Sequence, residues 1–312
     1  VVLDKTGTLT EGHPVVTDVL PAPGVLKNPF LRAAASIEAL SEHPLAEAVM
    51  NYAKEKEIVP QKAENLSATA GQGIEADVNG KHILGGNLKM MQERKIDLGD
   101  FAEKAAELAE QGKIPLFFAE GEKLLGILGL ADPLKPTSKE AVDSFHQMGI
   151  DVVMLTGDNE IVGGAVGKLL NMDHIYTNLL PAEKVEKVEE FIDSQQEDEK
   201  LVYVGDGIND APVLKRADIG IAMGTLGAAA AVEAADIVLM EDDPSMILVI
   251  LRIARETIGA IRQNAVLSIG MKLILLTLAA TGLISMWTAI TADVIIMLVT
   301  LFNALCLLKY PG

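Results

Sequence analysis

Three short segments of this chain end in residues suited to phosphoryl chemistry: Asp4-Lys5-Thr6, Thr156-Gly157-Asp158 and Gly205-Asp206-Gly207. A carboxylate can attack phosphorus as a nucleophile, and a second carboxylate can hold a hard cation such as Mg2+. In that scheme Asp4 is the nucleophile, Asp206 the Mg2+ carboxylate and Thr156 a donor to phosphate oxygen. Lys184, after Pro181-Ala-Glu, supplies the positive charge that lets an aspartate approach an anionic phosphoryl group. Asp4 taken alone would serve equally well as a loop aspartate capping a turn. The case for chemistry rests on the three segments occurring together.

The segments must therefore be brought to one place. Each follows a short apolar run (VVL before Asp4, VVML before Thr156, LVYV before Gly205-Asp206) of the kind that forms a buried strand. The amphipathic helix KEAVDSFHQMG and the helix IVGGAVGKLL lie between or beside them, and IGIAMG adds a further strand. This alternation predicts an α/β fold with a doubly wound parallel sheet, whose carboxyl strand ends share one edge. From Asn28 to about Gly121 the pattern changes. Two helices broken at Ser41 and Pro44 precede strands joined by NGK and EGEK turns, an α+β unit inserted after the first strand. The parallel pattern is expected to resume near Gly126.

The net charge of −18 over 312 residues, with a pI near 4.7, excludes a nucleic-acid surface, which needs clustered Lys and Arg. The single cysteine, Cys306, excludes an internal disulfide framework. The positive mean hydropathy, +0.29, comes largely from the tail. There, two apolar stretches separated near GLISM are each long enough, at about twenty residues, to span a bilayer. Arg252, Arg255 and Arg262 before the first span and Lys309 after the second put both ends on the cytosolic side. Lys272 and Asp293 lie within the spans and are the only features that favour the alternative, two buried helices of a large soluble core.

DKTGTLT at 4–10, TGDN at 156–159 and GDGINDAP at 205–212 together resemble the P-type ATPases, ion pumps with a haloacid-dehalogenase-like phosphorylation domain. The resemblance runs over nearly the whole chain. It implies that Asp4 accepts the γ-phosphoryl of ATP, with Lys5, Gly157 and Asp158 belonging to the same motifs. Asp4, Thr6, Asp206 and Asp210 would surround Mg2+, a purely structural role being the equal alternative for Asp210, and Asn209 would complete the Mg2+ and phosphate environment. Soluble phosphatases of the wider superfamily carry an acid–base aspartate where this chain has Thr6. Threonine cannot activate water in that way, so the phosphoenzyme is expected to persist. DPLKP at 132–136 places Asp132 and Pro133 at a hinge.

SEHPLAEA and GQGIEA resemble the nucleotide-binding domain of the heavy-metal-transporting subgroup. By that resemblance Glu38, His43, Gly71, Gly73, Gly86 and Asn87 line the adenosine pocket. The Tyr-Asn, Met-Ser-Ser and His-Glu-Gly patterns of copper and cobalt-like members are absent. GMK at 270–272 and TADV at 291–294 resemble the zinc, cadmium and lead exporters, although Val-Ile follows Ala-Asp here. Asp293 would then be a ligand of the transported Zn2+, Cd2+ or Pb2+, and Lys272 its counter-charge. The implied domains are a phosphorylation domain at 1–12 and 126–260, a nucleotide-binding domain at 13–125, and two transmembrane helices at 261–309.

The expected protein is an ATP-driven heavy-metal exporter of the plasma membrane with cytosolic catalytic domains, of which this chain is the C-terminal half. Its expected partner is an N-terminal half carrying a Cys-Pro-Cys helix and an actuator with Thr-Gly-Glu; Cys306 is not that motif. The competing readings are a membrane-tethered phosphatase of the same superfamily, a pump for another cation, and a non-catalytic nucleotide-binding subunit.

Overall fold

The computed structural model describes residues 1–197, 199–206, 210–223 and 229–306. Two compact units divide the chain, Val1–Pro244 and Ser245–Gly312.

Within the first unit, β1 (Val2–Asp4) is an interior strand of a six-stranded parallel sheet. The antiparallel sheet follows in sequence: β2 (Val15–Pro21), β3 (Ala63–Thr69), β4 (Gly73–Val78), β5 (Lys81–Gly86), β6 (Ile114–Glu120) and β7 (Lys123–Ala131). Its spatial order is β2-β7-β6-β5-β4-β3. Helices α1 (Lys27–Glu38) and α2 (Pro44–Glu55) cover one face, packing Phe30, Ile37 and Val49 on Ile83, Phe118 and Leu128. Helices α3 (Leu88–Glu93) and α4 (Phe101–Glu110) cover the other, packing Met91, Phe101 and Leu108 on Leu84, Phe117 and Ile127. Neighbouring residues such as Phe117 and Phe118 thus enter different cores, as the two-residue period of a strand requires. The NGK turn forms the β4–β5 hairpin, with Asn79 and Gly80 both left-handed (φ 51° and 78°), the conformation that matches strand twist.

The chain then completes the parallel sheet. Its remaining elements are α5 (Ser138–Gln147), β8 (Val153–Leu155), α6 (Glu160–Leu169), β9 (His174–Tyr176) and α7 (Pro181–Asp193). They continue with β10 (Val202–Gly205), α8 (Ala211–Arg216), β11 (Ile219–Ala222), α9 (Ala229–Ala234) and β12 (Ile237–Val238). The strand order is β12-β11-β10-β1-β8-β9. Val2 and Leu3 pair with Tyr203 and Val204 on one side and with Val153 and Met154 on the other. Asp4, Thr156 and Asp206 therefore leave the sheet at one edge, as expected.

Two boundaries differ from the sequence expectation. The limit at 125/126 falls inside β7, which stays paired with β2 and β6 as far as Ala131. The limit at 260/261 falls inside a single helix, α10 (Met246–Ala280). With α11 (Met286–Cys306), α10 makes up the described part of the second unit. Both helices are long and apolar enough to cross a membrane, and almost none of their residues is buried. Lys309 lies outside the described residues.

Candidate active site

The loop after β1 is tight because of Gly7. Its φ of 72° is left-handed, and a Cβ there would meet the Asp206 carboxylate at 3.0 Å. Glycine therefore lets the loop lie against Asp206. Asp4 is buried at the strand end, 5% exposed, while Thr6 in the next turn is exposed. Lys184, one turn into α7, reaches across to donate to Asp4 Oδ1 at 2.6 Å and to Asp210 Oδ1 at 3.0 Å. The start of α7 is set by Pro181 and by Glu183, whose carboxylate accepts the Leu180 N–H at 2.7 Å.

Two buried carboxylates thus share one ammonium. Burial, then the charge of Asp210, pushes Asp4 up to about 7, against the pull of Lys184. Contact with the two carboxylates holds Lys184 above its ordinary value despite its burial. Beneath them, burial and the charges of Asp4 and Asp210 raise the Tyr203 phenol well above its usual range. The second strand end adds Thr156, 2% exposed, whose hydroxyl accepts the Asp158 N–H at 3.1 Å. The Asp158 side chain pairs with Lys5. Gly157 has the Leu179 carbonyl 3.3 Å from where its Cβ would stand, so the turn leaves little room for a larger residue.

Among the described residues no group of three or more His, Cys, Asp or Glu side chains is arranged to hold a metal by itself. The donor set nevertheless fits Mg2+. Asp4, Asp206 and Asp210 bring more negative charge than Lys184 neutralises, and Mg2+ takes few protein carboxylates together with phosphate and water oxygens. Asp210 is already engaged by Lys184 at 3.0 Å. Asn209 lies outside the described residues.

The residues expected to meet adenosine lie in the antiparallel sheet and its helices. Gly73 and Gly86 face each other in the β4–β5 register. A Cβ on Gly73 would fall 2.2 Å from the Gly85 carbonyl oxygen, and one on Gly86 2.6 Å from that of Gln72. Asn87 ties this corner together. Its side chain donates to the Gly71 carbonyl at 2.8 Å and accepts the Met90 N–H at 3.1 Å, capping α3. Glu38 ends α1 and is 5% exposed; burial pushes it up to about 7. His43 is exposed and caps α2, its Nδ1 accepting the Leu45 N–H at 3.2 Å. A cleft of about 520 Å3 beside α2, with His13, Glu47 and Tyr52 in its lining, contains none of the expected site residues.

Sequence reasoning passed over Lys135, whose ammonium donates to the Gly7 carbonyl at 2.8 Å. The sequence signal that could have found it is the DPLKP segment in which it stands. Asp132 Oδ2 accepts the Thr10 hydroxyl at 2.5 Å. In the second unit Lys272 Nζ lies 3.5 Å from Asp293 Oδ1. One end of the same helix pair is clasped by Asn303, donating to Asn264 Oδ1 at 2.8 Å. Cys306 is free and exposed.

The model of the haloacid dehalogenase-like hydrolases matches residues 1–218. The chain is 43% identical over 309 residues to a cadmium, zinc and cobalt-transporting ATPase of Bacillus subtilis (strain 168), covering 99% of this chain and 43% of that protein. It is 40% identical over 310 residues to a copper-exporting P-type ATPase of Staphylococcus aureus (strain Newman), covering 99% of this chain and 38% of that protein. The chain thus spans about two fifths of the length of these curated relatives. The crystal structure of a zinc-transporting PIB-type ATPase in the E2.Pi state superposes with a TM-score of 0.84 at 36% identity, covering 99% of this chain and 49% of that one.

Proposed function

We propose, for a chain that belongs to the haloacid dehalogenase-like hydrolase family, that it is the catalytic part of an ATP-driven exporter of a divalent heavy metal. Similarity to heavy-metal P-type ATPases along nearly its whole length supports this reading. The observation that carries it is the buried Asp4–Lys184–Asp210 cluster at the carboxyl edge of the parallel sheet. In the proposed step an Asp4 carboxylate oxygen forms a bond to the γ-phosphorus of ATP, the bond to the β–γ bridging oxygen breaks, and ADP leaves. Lys184 offsets the repulsion between Asp4 and the phosphoryl oxygens. Asp206, with Asp4 and Asp210 nearby, would hold Mg2+, whose chemistry here is to neutralise charge on phosphate oxygens. The exposed Thr6 offers no general base, so Asp4 keeps the phosphoryl group rather than passing it to water.

In this reading residues 1–12 and 132–244 are the phosphorylation unit, and 13–131 bind the nucleotide through the Gly73–Gly86 corner, Asn87, Glu38 and His43. Asp293 binds Zn2+, Cd2+ or Pb2+ in a plasma membrane, and Lys272 takes over its charge when the metal leaves. The earlier membrane helices with Cys-Pro-Cys, and an actuator with Thr-Gly-Glu, complete the pump. With γ-labelled ATP and Mg2+ the chain should form an acid-stable, hydroxylamine-sensitive phosphoenzyme that Asp4→Asn abolishes. Label that survives this change would remove Asp4 as the acceptor.

A further inference from the structure

Two segments join the parallel sheet to the antiparallel one, and they are laced together. The Glu11 N–H donates to the Pro133 carbonyl at 2.9 Å and the Lys135 N–H to the Leu9 carbonyl at 3.0 Å. The Ser138 hydroxyl donates to the same Leu9 carbonyl at 2.6 Å. Lys135 does more than complete this ladder. Its side chain is only 4% exposed and pairs with Asp242 Oδ1 at 2.6 Å. The same ammonium donates to the Gly7 carbonyl at 2.8 Å. A buried lysine on the return segment thus grips the backbone of the loop that follows Asp4.

That grip has geometric consequences. The peptide unit is planar, so fixing the Gly7 carbonyl fixes the direction of the Thr8 N–H as well. It also fixes where Gly7, left-handed at φ 72°, rests against the Asp206 carboxylate. A second bond holds the same return segment, the Thr137 hydroxyl donating to Asp243 Oδ1 at 2.6 Å. Asp242 is thereby linked through Lys135 to the Asp4 loop and Asp243 to the return segment, and Pro244 after them ends the first unit.

We propose that Lys135 is a positioning residue for phosphoryl transfer to Asp4, holding the nucleophile's loop by its Gly7 carbonyl while Asp242 neutralises the buried ammonium. This deepens the reading of Asp4 as phosphoryl acceptor and rests on it. The Lys135 ammonium is engaged by the Gly7 carbonyl and Asp242. It acts by fixing the loop between Asp4 and Asp206, where small misplacements of reacting groups are costly in rate.

The test is rapid-quench labelling of the 312-residue chain in detergent with γ-labelled ATP and Mg2+, alongside nucleotide affinity by calorimetry and folding by circular dichroism. Lys135→Met should fold and bind nucleotide as the unchanged chain does, yet label at least about tenfold more slowly. Lys135→Arg keeps a donor and should recover most of that rate, and Asp242→Asn should fall between the two. A purely structural role would lower the fraction of chain that labels and leave its rate unchanged. Labelling of folded Lys135→Met at the original rate would overturn the proposal. Should Lys135→Met fail to fold, Asp242→Asn decides: slowed labelling supports the proposal and an unchanged rate overturns it. A chain with no substitution that takes no label at Asp4 would overturn the underlying reading, and this inference with it.

Discussion

Asp4→Asn should do two opposite things, removing phosphorylation and stabilising the fold, and the second can be worked out from charge. Asp4 and Asp210 share Lys184, with Asp206 contributing further negative charge to the field at Asp4. Burial and this surplus push Asp4 from its ordinary 3.8 up to about 7. A raised carboxyl pKa means that the folded chain holds the proton more tightly than the unfolded chain. The associated stability is complete below about pH 4 and is lost as pH rises through about 7. Each pKa unit is worth about 1.4 kcal/mol, so relative to about pH 4 the titration of Asp4 removes about 2 kcal/mol of stability near pH 5.5, where only the unfolded chain has lost the proton, and about 4 kcal/mol near pH 8. Asparagine keeps the shape and leaves a one-to-one Lys184–Asp210 pair.

The advantage of the variant over the original chain should therefore grow by about 2 kcal/mol between about pH 5.5 and about pH 8. For a unit of this size that is roughly 4–8 °C in Tm. The measurement is thermal unfolding of both proteins in detergent across this range, with a chelator present so that no divalent cation neutralises the cluster. A difference in Tm that is flat, or that shrinks as pH rises, would refute the reasoning.

Two further outcomes are expected. Gly73→Ala places a methyl group 2.2 Å from the Gly85 carbonyl oxygen at a φ of 153°, so it should destabilise the chain by about 1–3 kcal/mol; an unchanged Tm would mean that β4 and β5 separate without cost. In a full-length protein, Asp293→Ala should abolish zinc-stimulated ATP hydrolysis, and Lys272→Ala should slow metal release more than phosphorylation. Near-normal zinc stimulation without Asp293 would move the transported-metal site to other helices.

How far the sequence reveals this molecule depends on whether a role belongs to a side chain or to the backbone it meets. Asp4, Thr156 and Asp206 were legible because each ends an apolar run, and parallel pairing of β1 with β8 and β10 brings such ends to one edge. Lys184 was legible as a needed charge, although the sharing of that charge with Asp210 was not. Lys135 escaped because its acceptor is the Gly7 carbonyl, and every residue carries a carbonyl. That β7 runs across the expected limit near residue 125 was hidden for another reason. β7 is buried on both faces from Leu124 to Leu130, since helices cover each side of the antiparallel sheet. Its apolar run therefore loses the alternation that marks an ordinary antiparallel strand and reads like the next strand of a parallel sheet. The extent of β7 has a structural consequence, because it leaves the whole DPLKP segment beyond the antiparallel sheet, on the return to the parallel one. Lys135 and Asp242 then both stand outside the antiparallel sheet, so the loop after Asp4 is held by residues that return to the sheet it leaves.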